Sequence, residues 1–137
     1  MIRRAAGGIV FRWKGDSLQV LLVSARANRR RWVLPKGRLK RGESRGDAAL
    51  REVREEAGAR GTIVGAAGEV RQGNRLVRTH IEYFLIAYRG ATEDAGEARR
   101  MKWCSPNNAA KLLSSGATRR MFREAQERLE RAARQQR

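Results

Sequence analysis

Apolar residues fall into two short β-rich runs at the start of the chain, Arg3 to Trp13 and Leu18 to Ser24, separated by the polar triplet Lys14-Gly15-Asp16. Two such runs joined by a turn signal predict a β-hairpin. Ala25 to Arg31 is basic and reads as a loop, and Trp32 to Leu34 reads as a short extended piece. Pro35 then bars helix ahead of a glycine-containing loop. Strand-like segments recur around Thr62 to Val70 and Ile81 to Tyr88, with a turn predicted at Gln72-Gly73-Asn74. Gly90 to Gly96 is an acidic loop, and Met101 to Cys104 is a further short strand. Ser105-Pro106 starts a helix that runs to about Leu113, with Ser as cap and Pro in the first turn. From Thr118 to about Arg134 the spacing of Met121, Phe122, Ala125 and Leu129 marks one apolar helical stripe. The expected architecture is α/β (α+β), a mixed sheet flanked by helices, in one domain over residues 1–137.

Between these elements, Gly37 to Ala59 reads GRLKRGESRGDAALREVREEAGA. Ser44 and Asp47 supply a helix start, and Gly58 supplies a left-handed stop. Within that helix Glu52, Glu55 and Glu56 stand at i, i+3 and i+4 and share one face, while Ala49, Leu50, Val53 and Ala57 share another. Like charges so close repel, and an oxygen-seeking divalent cation converts the repulsion into ligation. The spacing suggests Mg²⁺ or Mn²⁺.

Composition adds a strong electrostatic bias: 31 Lys and Arg against 14 Asp and Glu give a formal net charge of +17. Arginine grips phosphate through two parallel hydrogen bonds, so small polyphosphates and RNA are both candidate partners. Cys104 is the only cysteine, which excludes an intrachain disulfide and fits a reducing, cytoplasmic setting. No run approaches the roughly 20 apolar residues that span a bilayer, so no membrane partner is expected. MIRRAAGGIVFRWKG lacks a cleavage site, and its apolar run is interrupted at Arg12, so it reads as strand. His80 has no neighbouring Cys or His, and a structural role is expected. Phe84 is assigned to the core, whereas Trp32 and Trp103 lie near strand ends where a base could stack. The pattern specifies no oligomeric state.

The 37–59 segment resembles the Nudix box, G-x5-E-x7-R-E-U-x-E-E-x-G-U, at every position except the last bulky one, where Ala59 stands. The resemblance extends over nearly the whole chain. It implies the αβα sandwich of Nudix domains, with a catalytic loop-helix-loop at 37–59, and hydrolysis of a nucleoside diphosphate linked to another moiety. RRAAGGIVFR, LLVSAR, RWVLPKG, REVREEAGARG and RRMKWCSPNNAAKLL are together similar to diphosphoinositol polyphosphate phosphohydrolases, which also cleave diadenosine polyphosphates. That subfamily carries a glycine triplet where this chain has Lys36-Gly37-Arg38, and its loop before the tryptophan is a residue shorter.

By this resemblance Glu52, Glu55 and Glu56 ligate metal with the backbone carbonyl of Lys36, and Arg51 orients Glu52. Glu43 braces the loop or shares the metal, and Gly37 and Gly58 are structural positions of the motif. Glu52 is the first candidate for general base, with Glu97 or Glu93 of the acidic loop as alternatives. Arg4, Arg12, Ser24, Arg26 and Lys36 are the implied phosphate contacts, assisted by Arg29 to Arg31. Pro35-Lys36-Gly37 also occurs in Nudix enzymes acting on the triphosphate end of RNA, and cleansing of nucleoside triphosphates is a further option. A non-catalytic Nudix module that binds nucleotide or RNA is the alternative of a different class.

Overall fold

The computed structural model describes residues 1–93 and 99–137. Strands β1 (Ile2–Lys14) and β2 (Ser17–Ser24) form the expected hairpin around Gly15, which takes the positive φ that its turn needs. β3 (Trp32–Val33) and β4 (Lys36–Arg38) follow, then helix α1 (Arg45–Ala57), β5 (Ala59–Gly73), β6 (Arg78–Ala91), β7 (Met101–Cys104), α2 (Pro106–Leu112) and α3 (Gly116–Gln135). Among the described residues the strands make one mixed sheet in the order β3-β2-β1-β6-β5. β4 and β7 pair off that path with β1 and β2. β1 and β6 run parallel from Ile2↔Arg78 to Phe11↔Ala87, and the other strand pairs are antiparallel.

Three elements differ from their sequence-based bounds for identifiable reasons. Lys36 to Arg38 is a strand, because Gly7 of β1 lets the backbone come close: a Cβ there would collide with Pro35 O and Lys36 Cβ. β5 extends to Gly73, past the expected end at Val70, and its register shifts at Arg60/Gly61, Ile63/Gly65 and Ala66/Gly68 blur any period-2 signal. The connecting turn therefore falls later than expected. Asn74 organises it, its Oδ1 accepting from the N–H groups of Leu76 and Val77.

The sheet has a core on each side. Alternation along β1 sends Ala5, Ile9 and Phe11 toward α2 and α3, and Ala6 and Val10 toward α1. On the larger side the predicted stripe Met121, Phe122, Ala125 and Leu129 is buried, as expected for a helix laid on a sheet. On the smaller side Ala48, Ala49, Val53 and Ala57 seat α1 against Val10, Leu21 and Ile86. Ser44 Oγ accepts from Asp47 N at 3.1 Å, and Gly58 ends α1 in the left-handed region with its N–H on Arg54 O. The mid-sheet position of α1 thus follows from small residues on one face and caps at both ends.

Phe122 is fully buried beneath the sheet. Phe122→Ala is expected to destabilise the fold by about 3 to 5 kcal/mol, read as a lower urea midpoint at unchanged slope.

Candidate active site

The face of α1 turned away from the sheet core carries Arg51, Glu52 and Glu55, with Glu56 at its margin. These four side chains line one cleft of about 540 Å³ together with Arg26, Lys36, Gly37, Arg38, Lys40 and Arg99. Carboxylates make one wall of the cleft and cations most of its rim. Glu56 is only 3% exposed, a depth at which an ionised carboxylate needs charged or hydrogen-bonding partners. Its Oε2 accepts from the Lys36 backbone N–H at 3.0 Å, and its Oε1 stands 3.1 Å from Arg99 Nη1.

Arg51 organises the remaining carboxylates. Its Nε and Nη2 donate to the two Glu43 oxygens at 2.7 and 2.9 Å, and Nη1 donates to Glu52 Oε1 at 2.7 Å and Glu55 Oε2 at 3.2 Å. Nη2 also donates to Arg38 O at 3.0 Å, which ties α1 to the end of β4. Hydrogen bonding to Arg51 pulls the Glu43 carboxyl down to about 2, and the same pairing with Glu43 holds the Arg51 guanidinium above its ordinary value. Gly37 packs directly on the Glu52 carboxylate, where any Cβ would collide with its carbon and both oxygens. The glycine leaves room for this carboxylate beneath the backbone of β4.

The site offers oxygen donors of the kind hard divalent cations prefer. As they stand, no three acidic, histidine or cysteine side chains among the described residues converge on one point, and Arg51 and Arg99 serve as counter-ions to the glutamates. The donor set nevertheless fits such a cation, since Glu52, Glu55 and buried Glu56 open on the same cleft beside the Lys36 backbone.

Of the residues assigned to phosphate, Arg26 and Lys36 line this cleft. The other three lie elsewhere. Ser24 is buried and its Oγ accepts from Arg100 N at 3.1 Å, so it fixes the β2 end to residue 100. Arg12 donates to Gln19 Oε1 at 2.9 Å and lies 3.9 Å over the Trp103 ring. Arg4 lines a separate recess with Arg45, Glu69, His80 and Glu82. His80 Nδ1 is 4.0 Å from Glu69 Oε1 there.

Lys36 divides between two places. Its backbone faces Glu56, while alternation with Gly37 turns its side chain to the far side of β4, where it lines a recess of about 140 Å³ with Trp32, Gln72, Tyr83, Ser114 and Thr118. Burial raises the Tyr83 phenol above its ordinary value, opposed by a hydrogen bond with Thr118. Trp32 carries Arg100 and Lys102 at 5.2 and 5.7 Å from its ring, and Phe84 packs with the α1-side core. Arg29 to Arg31 are exposed in the loop before β3. Glu93 is exposed and does not line the cleft, and Glu97 lies outside the described residues. Sequence reasoning missed Arg99: it opens the segment RRMKWCSPNNAAKLL that contributes to the resemblance, but nothing in that segment assigns it to the cleft, which it enters through the fold.

The site is thus a carboxylate helix packed on a mixed sheet and facing a cationic rim. The NUDIX domain family matches residues 1–125, and the chain belongs to it. Nudix hydrolase 21, chloroplastic, of Arabidopsis thaliana is 30% identical over 120 residues, covering 82% of this chain and 61% of that protein. Diphosphoinositol polyphosphate phosphohydrolase 3-beta of Homo sapiens is 31% identical over 116 residues, 81% of this chain and 69% of that one. The chain thus spans somewhat over half the length of these curated relatives. Among solved structures, a binary complex of the C. elegans Ap4A hydrolase superposes with a TM-score of 0.80 at 24% identity, over 93% of this chain and 98% of that one. Nudix hydrolases act on phosphorus-containing anhydrides and generally require divalent metal ions.

Glu43, with its folded value depressed to about 2 from an ordinary 4.5, contributes stability that is present above the ordinary value and lost as pH falls through about 2. Glu43→Gln should lower stability near neutral pH and flatten the decline across that window, as measured by urea unfolding at a series of acidic pH values.

Proposed function

We propose that the protein is a metal-dependent pyrophosphohydrolase, with Mg²⁺ or Mn²⁺ as cofactor, cleaving phosphoanhydride bonds of diadenosine or diphosphoinositol polyphosphates. The observation that carries this reading is the buried Glu56 carboxylate beside Glu52 and Glu55 at the base of a cleft rimmed by Arg26, Lys40 and Arg99. Such a rim suits a ligand with charge spread along several phosphates. Bound there, the divalent metal would supply neutralisation of non-bridging oxygens and activation of water.

The residues of the chain supply the rest. Arg51 fixes the Glu52 carboxylate through a 2.7 Å ion pair, and Glu52, packed against Gly37, is assigned to receive the proton of the attacking water. Glu55 and Glu56 complete the ligand set with the Lys36 carbonyl. Arg26 is assigned to the phosphates distal to the scissile bond, and the protein is assigned to a reducing cytoplasmic compartment as one domain.

The net charge of +17 supports a second reading within the same chemistry, a nucleoside triphosphate or RNA 5′-end pyrophosphohydrolase. Phosphate release with Mg²⁺ across diadenosine polyphosphates, a diphosphoinositol polyphosphate, nucleoside triphosphates and 5′-triphosphate RNA separates the two. Turnover of the long polyphosphates that is abolished in a folded Glu56→Gln variant is the expected result. Preference for triphosphates or RNA transfers the assignment to the second reading, and no turnover on any substrate replaces both with a binding module.

Arg26→Ala is expected to weaken binding of the longer polyphosphates by about 1.5 to 3 kcal/mol, the worth of a charge-assisted hydrogen bond. Titration calorimetry on a length series checks it, with an equal loss for nucleoside triphosphates refuting a role in reading length.

A further inference from the structure

Four large hydrophobic residues are exposed among the described residues, and three of them share one tip of the molecule: Met1 at 77%, Ile2 at 55% and Leu76 at 79%. They meet because β1 starts beside the turn that joins β5 to β6. The Met1 ammonium donates to Leu76 O at 3.1 Å, and Arg78 N donates to Met1 O at 2.9 Å. The turn is rigidly built. Asn74 accepts on Oδ1 from Leu76 N and Val77 N at 2.9 and 3.0 Å, and its own N–H donates to Val77 O at 2.9 Å. Leu76 is therefore held outward rather than left to fold back on the surface. Around it, Arg71, Arg75 and Arg78 line an open recess of about 370 Å³ with Gln72, Gly73 and Asn74. Glu69, 3.1 Å from Arg71, is the acidic group paired with this collar.

We propose that this tip is a peripheral docking surface for an anionic lipid bilayer. Aliphatic side chains held proud of the backbone can enter the acyl boundary, and a guanidinium collar at their base meets the phosphate layer, the two signals that together give stable surface association. Such docking needs no spanning segment, and no helix of the described residues is long and apolar enough to cross a membrane. The apolar groups are aliphatic and offer no aromatic platform for stacking bases, which disfavours single-stranded RNA at this tip. A second copy of the chain would bring another +17 against it.

The test is co-sedimentation of the purified protein with vesicles of phosphatidylcholine alone and of phosphatidylcholine mixed with phosphatidylglycerol. Binding to the mixed vesicles only is expected, with about a tenfold fall in partitioning for Leu76→Asp and about a fivefold fall for Arg75→Glu. Met101→Asp removes another exposed apolar residue, 55% exposed and outside the tip, and adds the same charge, so it corrects for bulk electrostatics. Leu76→Ser supplies the same deletion without the charge, and circular dichroism verifies the fold of each variant. Absence of binding, or equal losses for Leu76→Asp and Met101→Asp, overturns the proposal. RNA binding that is lost with Leu76→Asp while the wild type ignores vesicles would reassign the tip to nucleic acid.

Discussion

The guanidinium of Arg51 makes the carboxylate face of α1 tolerable. Three glutamates within two helical turns repel one another by roughly a few tenths of a kcal/mol per pair, and packing them against a strand adds the cost of removing carboxylates from water unless a counter-charge is present. Arg51 answers with contacts to Glu43, Glu52 and Glu55 and to the Arg38 carbonyl, so one side chain links the loop before the helix, the helix itself and β4. The planar fork matters here. A lysine would neutralise charge but could not hold both oxygens of Glu43 and two further carboxylates in fixed directions. Glu56, too deep to share this arginine, is served from the other side by Arg99 and the Lys36 amide.

That arrangement explains which parts of the site were legible in the sequence. Ser44, Arg51, Glu52, Glu55, Glu56 and Gly58 lie on one continuous helix with its caps, so their relative placement follows from helical geometry alone. Gly37 belongs with them because its role is set by what it must not carry. The arginines of β1 are a different matter. Arg4 and Arg12 share a face of the sheet with the cleft, yet strand rise separates them along a length that no local pattern measures, and one lines the recess of Glu69, His80 and Glu82 while the other lies over Trp103. Lys36 shows the sharper limit: once β4 is a strand rather than a loop, neighbouring residues face opposite sides, and the motif can have the Gly37 position or the Lys36 side chain in the cleft but not both.

The fold was legible to a similar degree and for similar reasons. Hairpin, caps and the α3 stripe are local, and they stand within a few residues of where periodicity and turn chemistry put them. The sequence pattern shows only part of β5, because each of its irregularities resets the alternation that identifies a strand. The parallel pairing of β1 with β6, and hence the side of the sheet that receives α1, is encoded only in the complementarity of two distant surfaces. Arg99 belongs to the same category, since its partner Glu56 is brought to it by the packing of a helix.

The parallel pairing also bears on biosynthesis. Residues Ile2 to Phe11 of β1 find their β6 partners 76 positions later, from Ile2↔Arg78 to Phe11↔Ala87. A two-stranded hairpin is marginal by itself in water, so the first strand translated stays without its central neighbour until most of the chain has left the ribosome. During that interval Ile9, Val10 and Phe11, later the middle of the core, are open to association with any other β-prone segment. Dependence of soluble yield on translation speed or chaperone supply is therefore built into the strand order, independently of how stable the finished sheet is.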